Sequence, residues 1–172
     1  MFPIALDLRK VPILLIGEGE AFFRRKQQLE EYGAEKVIVI ESSSPESLTP
    51  NPESRIIMIA GLPRPISEKL ASEARTAGRL VNVEDMNDLC DFYFTANIKH
   101  GDLLIAVSTG GCSPTLARRI RDYISRKFGA EWAGYVREMA DFRAKLKAEG
   151  KNIPQVLKES DRFLEEKGWL NE

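Results

Sequence analysis

Histidine is nearly missing from this chain: His100 is the single copy in 172 residues. That excludes a His-rich zinc site, and equally a Ser-His-Asp hydrolase built away from His100. Cysteine is almost as scarce. Cys90 and Cys112 lie far apart and form no CxxC pair, which suits a reducing cytosol and predicts a cytoplasmic protein. No apolar run approaches the ~20 residues that cross a bilayer, so no membrane partner is expected. Met1 to Lys10 lacks a basic segment followed by an apolar core, so no signal peptide is expected either. An excess of one charge is absent too. Lys and Arg number 25 against 26 Asp and Glu, a formal net charge of −1, which argues against a nucleic-acid partner. There is no internal repeat and no low-complexity tract.

What is present is ordinary for a globular chain, with 43% hydrophobic and 30% charged residues. The length allows one good core, or a domain of ~100 residues with a smaller appendage. Charge is unevenly spread: residues 1–112 carry 12 basic and 16 acidic side chains, and residues 113–172 carry 13 and 10. Arg118, Arg119, Arg121, Arg126 and Lys127 face only Asp122 as an acid, a local cluster better suited to an anionic small molecule than to DNA. A solvated helix face explains it as well.

The first half alternates in the α/β manner. Val11–Ile16 is a short, continuously apolar run, as expected of a strand buried on both faces. A helix is predicted from about Glu20 to Tyr32, closed by Gly33. Strands are predicted at Lys36–Ile40, Arg55–Ala60 and Arg79–Val83, with a loop from Ser42 to Glu53 and a helix from Ile66 to Ala77. This rhythm predicts a parallel sheet. The pattern then changes: Phe92–Thr95 and Leu103–Val107 read as two strands joined by a turn at Lys99–Asp102. These runs are too apolar to stay as free edges, which predicts a homodimer through residues 91–107. Beyond Gly110-Gly111 the chain reads as helical. Ser113 is a good N-cap and Pro114 a good first-turn residue, and Leu116, Ile120, Tyr123, Ile124 and Phe128 share one predicted packing face. Two further amphipathic helices follow, one through Trp132 and Leu146, the other through Ile153 and Leu164.

Three places could carry chemistry. Gly17-Glu18-Gly19 follows the first strand and opens a helix, the context in which glycines let a backbone approach a pyrophosphate at a helix N-terminus. Glu18, Glu20 and Ala21 fill out that turn, Phe22 stands where a third glycine is usual, and Glu41 closes strand two, where an acid binds ribose hydroxyls and repels a 2′-phosphate. A βα turn needs glycine for structural reasons as well. Ser108-Thr109-Gly110-Gly111-Cys112-Ser113-Pro114 ends a strand, frees the backbone and starts a helix, so Ser108, Thr109, Gly110 and Ser113 together with Arg118 and Arg119 could hold carboxylates or phosphates. A capped structural turn explains this stretch equally. Asn82-Val83-Glu84-Asp85 closes strand four, where an acid is placed to handle protons, and where Asp85 could equally be a helix cap. His100 reads as an exposed turn residue and Cys112 as a small packing residue.

Taken in this order, the sites resemble the precorrin-2 dehydrogenase / sirohydrochlorin ferrochelatase family, which also forms the N-terminal part of bacterial sirohaem synthases. The resemblance runs from Phe2-Pro3-Ile4 to about Phe128. Its most specific stretch is Asn82–Asp85, Phe92, Gly101–Pro114 and Leu116–Arg121. It implies a Rossmann-like NAD-binding domain over 1–85, dimerisation strands and glycine loop over 86–112, and a helical C-terminal domain over 113–172. It further implies NAD as cofactor, precorrin-2 and sirohydrochlorin as tetrapyrrole substrates, Fe²⁺ as a further substrate where chelation is present, and Asp85 in both proton-handling steps, with no metal ligands. Glu18, Phe22, Arg25 and Gly61–Pro65 depart from the family's usual residues. Two other functions are compatible with the sequence: a family member that chelates or carries tetrapyrrole without NAD, and an NAD-sensing regulatory module.

Overall fold

The structure, a computed structural model, describes residues 2–42 and 53–170. Residues 43–52 of the predicted Ser42–Glu53 loop lie outside the described residues. The chain divides into two compact units, residues 1–94 and 95–172.

In the first unit, β1 (Ile13–Gly17), β2 (Val37–Glu41), β3 (Ile56–Ala60) and β4 (Leu80–Val83) form one parallel sheet in the order β2-β1-β3-β4. Helix α1 (Gly19–Glu31) connects β1 to β2, and α2 (Arg64–Thr76) connects β3 to β4. Every residue of β1 and β3 is buried, which explains their unbroken apolar sequences. The two-residue period sorts those side chains into two cores. Leu14, Ile16, Ile57 and Ile59 pack with Leu70, Ala71 and Ala74 of α2. Ile13, Leu15, Ile56 and Met58 pack with Phe22 and Leu29 of α1. Each fully buried Leu, Ile or Phe contributes about 1.5–3 kcal/mol relative to exposure. Strand β2 is an edge, and Ile38 and Val39 on it are exposed. The outer edge of β4 is partly covered by the chain that follows: Asp91 bonds Val81 through both its backbone and its side chain, and Asn82 Nδ2 donates to the Phe92 carbonyl.

Those same bonds correct one expectation. Phe92–Thr95 is not a strand, because its start is committed to β4 and Phe92 packs against the α1-side core. In the second unit, β5 (Ala96–His100) pairs antiparallel with β6 (Leu103–Val107), and the turn between them is only Gly101-Asp102. Gly101 supplies a positive φ of 57° at the first turn position, as a tight hairpin requires. His100 therefore ends a strand and is half-buried, on the same side as buried Ile98, rather than lying exposed in a turn. Helices α3 (Pro114–Ser125), α4 (Trp132–Ala148) and α5 (Ile153–Lys167) complete the unit. Helix α3 packs on both strands, and α4 on β6 and α5. A capping box between Asn152 and Gln155 starts α5. Stacked Phe142–Phe163 and Tyr135–Trp169 pairs tie α4 to α5 and the chain after it. Of the predicted packing face of α3, Ile124 and Phe128 are half-buried while Leu116, Ile120 and Tyr123 are exposed; the residue that α3 buries is Ala117, outside that face. Cys112 is likewise exposed and packs into no core.

The ends of β1 and β3 touch through two glycines. A Cβ on Gly17 would stand 1.7 Å from the Ala60 carbonyl oxygen, and one on Gly61 would stand 1.9 Å from the Glu18 carbonyl oxygen. Gly61→Ala is therefore expected to cost about 3 kcal/mol in urea denaturation. Gly78→Ala, also at positive φ but facing open space, is expected to cost only about 1 kcal/mol. Equal losses for the two variants would contradict the close-contact argument.

Candidate functional site

Parallel strands all end on one side of a sheet, and here those ends are aligned. Gly17 pairs with both Glu41 and Ala60 across the ladder, and Ile59 pairs with Val83. The chain leaves β1 for one neighbour and later enters β3 on the other side, so the sheet's switch point lies between β1 and β3. Ligands of open α/β sheets bind in the crevice outside the strand ends at such a point. Gly17, Glu18, Gly19, Glu20, Ala21, Glu41 and Asp85 all lie at this edge or in the turns leaving it.

The β1–α1 turn is built by the glycine contact just described, together with the Glu18 amide donating to the Ala60 carbonyl at 3.1 Å. Glu18 is the N-cap of α1 but makes no side-chain cap bond, so the first amides of the helix keep their donors open. Gly19 has a φ of 72°, with nothing within 4 Å of where its Cβ would be. Open space above an uncapped helix start is what a dinucleotide pyrophosphate requires, and these residues fit it. Phe22 does not obstruct the turn: its ring is 1% exposed and lies in the α1-side core, edge-on to Phe23. Glu41 is exposed at the end of β2, held in register by the Ser42 amide donating to the Gly17 carbonyl.

Asp85 sits in a tight turn, Val83–Met86, directly after β4. Among the described residues it is the only non-glycine residue with positive φ, at 59°. This conformation costs about 1 kcal/mol and persists only where neighbours enforce it. From one side, the Cys90 thiol bonds the backbone of Val83 and Met86 and accepts from Asn82 Nδ2. Burial pushes that thiol above its usual range, so it stays protonated and can donate. From another side, Glu84 is fixed at both ends. Its amide donates to the Ile59 carbonyl, while its carboxylate takes Arg24 at 2.5 Å and Arg25 at 2.6 Å. Burial by itself would raise Glu84, but the two guanidinium groups outweigh it and hold the carboxyl below its ordinary range. Arg25 is itself anchored by Gln28 and lies 3.7 Å over the Phe94 ring. Asp85 is exposed and makes no hydrogen bond or ion pair among the described residues.

In the second unit the glycine loop is largely self-organised. Thr109 Oγ1 donates to the Ser113 carbonyl and accepts from the Ser113 amide, and Ser108 Oγ accepts from the Gly110 amide. Ser113 Oγ caps α3 by accepting from the Leu116 amide. These hydroxyls are thus already engaged, unlike the open start of α1. Arg118 and Arg119 are exposed and pair with no acid among the described residues.

No local pattern in the sequence joins Arg24, Arg25 and Glu84, because about 60 residues separate the acid from its partners. Gly61 carried a readable signal, since a glycine directly follows β3, one residue beyond the register partner of Gly17. Among the described residues, no helix is long and apolar enough to cross a membrane, and no cluster of three His, Cys, Asp or Glu is arranged to hold a metal.

Comparison with known proteins gives a family and a fold. Residues 100–127 match the family model described as the central part of a sirohaem biosynthesis protein. Siroheme synthase of Methylococcus capsulatus is 33% identical over 162 residues, covering 84% of this chain and 34% of that protein. The siroheme synthase of Methylobacillus flagellatus is 30% identical, covering 84% and 35%. The chain thus spans about a third of the length of these relatives. The solved structure of SirC, precorrin-2 dehydrogenase, superposes with a TM-score of 0.78 over 99% of this chain and 93% of that one, at 18% identity, a likeness of fold. Residues 4–96, the whole parallel sheet with its glycine turn and the Asp85 turn, match the family model described as putative NAD(P)-binding, and the chain belongs to that family.

Proposed function

We propose that this chain is an NAD-dependent precorrin-2 dehydrogenase, oxidising precorrin-2 to sirohydrochlorin in sirohaem biosynthesis. The observation that carries the reading is Asp85: an unpartnered carboxylate, enforced at positive φ, on the same sheet edge as an open helix start in an NAD(P)-binding family domain. The siroheme synthase relatives support the choice of substrate. NAD⁺, when bound, supplies a hydride acceptor. Gly17 and Gly19 let the backbone approach its pyrophosphate, and the open amides at the start of α1, in Gly19, Glu20 and Ala21, donate to it. The Glu18 main chain completes that turn. Asp85 receives the proton that leaves the substrate as it is oxidised. Insertion of Fe²⁺, as a second substrate, also requires protons to be taken from the inner pyrrole nitrogens, and the same carboxylate suits that work.

The second unit would contribute anion recognition and self-association. Precorrin-2 and sirohydrochlorin are rich in carboxylates, and the exposed Arg118 and Arg119 are their complement in charge, with the loop of Ser108, Thr109, Gly110 and Ser113 at the start of the same helix. The strand pair and the exposed Leu104, Leu116, Ile120 and Tyr123 form apolar surface suited to a second copy of this chain in a homodimer.

Glu41 implies a preference between coenzymes. A carboxylate there accepts the two ribose hydroxyls of NAD⁺ and repels a 2′-phosphate. In calorimetric titration NAD⁺ is expected to bind more tightly than NADP⁺, and Glu41→Ala to narrow the difference. Equal or tighter binding of NADP⁺ by the unaltered chain would remove Glu41 from this role. The reading of Asp85 is tested by Asp85→Asn, which keeps shape and an acceptor but loses basicity. The variant is expected to fold and bind NAD⁺ normally while oxidising precorrin-2 about 10²–10⁴-fold more slowly. Near-normal turnover would reduce Asp85 to a structural turn residue.

A further inference from the structure

We propose that Glu84 is a positioning residue for Asp85: clamped between Arg24 and Arg25, it fixes the turn that presents the base and keeps the Arg24 guanidinium from pairing with it. The inference rests on the reading of Asp85 as the base. Glu84 and Asp85 are the two central residues of the Val83–Met86 turn, so the orientation of Asp85 follows directly from the Glu84 peptide unit. That unit has little freedom. The Glu84 amide is tied to β3 through Ile59, and its side chain, 12% exposed, gives one oxygen to each arginine. The Arg25 side chain is only 11% exposed and is braced by Gln28 and the Phe94 ring, so it is a rigid anchor rather than a loose surface cation.

The clamp has a second consequence. Arg24 and Arg25 lie on α1, within about two turns of its open N-terminus, so the pair links the helix that faces the cofactor to the turn that carries the base. Relative motion of the two would move the base with respect to the cofactor's reacting end, and small misplacements of reacting groups are costly. The charge argument points the same way. Arg24 is held above its usual range first by its hydrogen bond to Glu84 and by attraction to that carboxylate, with Glu20 and Asp85 adding to the field. Without the Glu84 charge, Asp85 and Glu20 become the acids available to Arg24, and an Asp85 carboxylate paired with a guanidinium is a poorer base.

A mutant cycle on the full chain, measuring NAD⁺-dependent oxidation of precorrin-2 and the Kd for NAD⁺, tests this. Glu84→Gln is expected to lower kcat about 10- to 100-fold, with KM for precorrin-2 and Kd for NAD⁺ within about twofold of the unaltered chain. The double variant Glu84→Gln/Asp85→Asn is expected to be no slower than Asp85→Asn alone, because a positioning residue acts only through the group it positions. Arg24→Gln, at an exposed side chain, repeats the test from the other end of the clamp if Glu84→Gln does not fold. It is expected to give a smaller loss of kcat, again absorbed by Asp85→Asn. Unchanged kcat in the clamp variants, losses that multiply with Asp85→Asn, or loss of NAD⁺ binding in parallel with kcat would each overturn the proposal. Wild-type turnover by Asp85→Asn itself would overturn the underlying reading instead, and is distinguished by occurring in the single variant.

Discussion

Two residues without side chains allow the ends of β1 and β3 to meet. The Gly17 and Gly61 contacts leave no room for a methyl group, and the Glu18–Ala60 hydrogen bond follows from that closeness. Everything proposed for the first unit depends on this constraint. It sets the direction in which α1 leaves the sheet, and so where the open amides at its start point. It also fixes where the chain leaves β3, one strand away from the Asp85 turn. The apolar runs build the sheet, but the glycines shape the edge proposed as the site.

At that edge two opposite economies of charge stand close together. Glu84 is spent on structure: its carboxylate is satisfied by two guanidinium groups, which together more than offset the cost of its partial burial. Asp85, one residue on, is left exposed and unpaired in a conformation that glycine adopts more cheaply. Cys90 braces the turn from the core side with a neutral thiol, which can donate to carbonyls and accept from amides without bringing a charge near Asp85. A carboxylate enforced at positive φ by this many contacts is the arrangement expected where function is maintained against stability.

Much of the first unit was legible because its signals are local. The continuous apolar runs of β1 and β3 could only be strands buried on both faces, and Gly17-Glu18-Gly19 between a strand and a helix marked the turn correctly. The strand pair was misplaced at its start because Phe92–Thr95 has the composition of a strand, while its backbone is committed by Asn82 and Asp91 to the edge of β4. Such a commitment depends on tertiary partners. Phe22 stands where a third glycine is usual, and the helical period turns it into the core. The α3 stripe from Leu116 to Tyr123 looked like a packing face, yet most of it is exposed in a single copy of the chain. The Glu84 clamp was invisible for the plainest reason: ion pairs between residues about 60 positions apart leave no spacing to read.

The central claim is that this sheet edge carries out a nicotinamide-dependent oxidation of a tetrapyrrole. Absorption spectra of the purified chain with precorrin-2, recorded with and without NAD⁺, test it most directly. The account predicts conversion to the sirohydrochlorin spectrum only when NAD⁺ is present, with NADH appearing in step at its own absorbance. An unchanged precorrin-2 spectrum and no NADH, from a folded chain supplied with both, would contradict it.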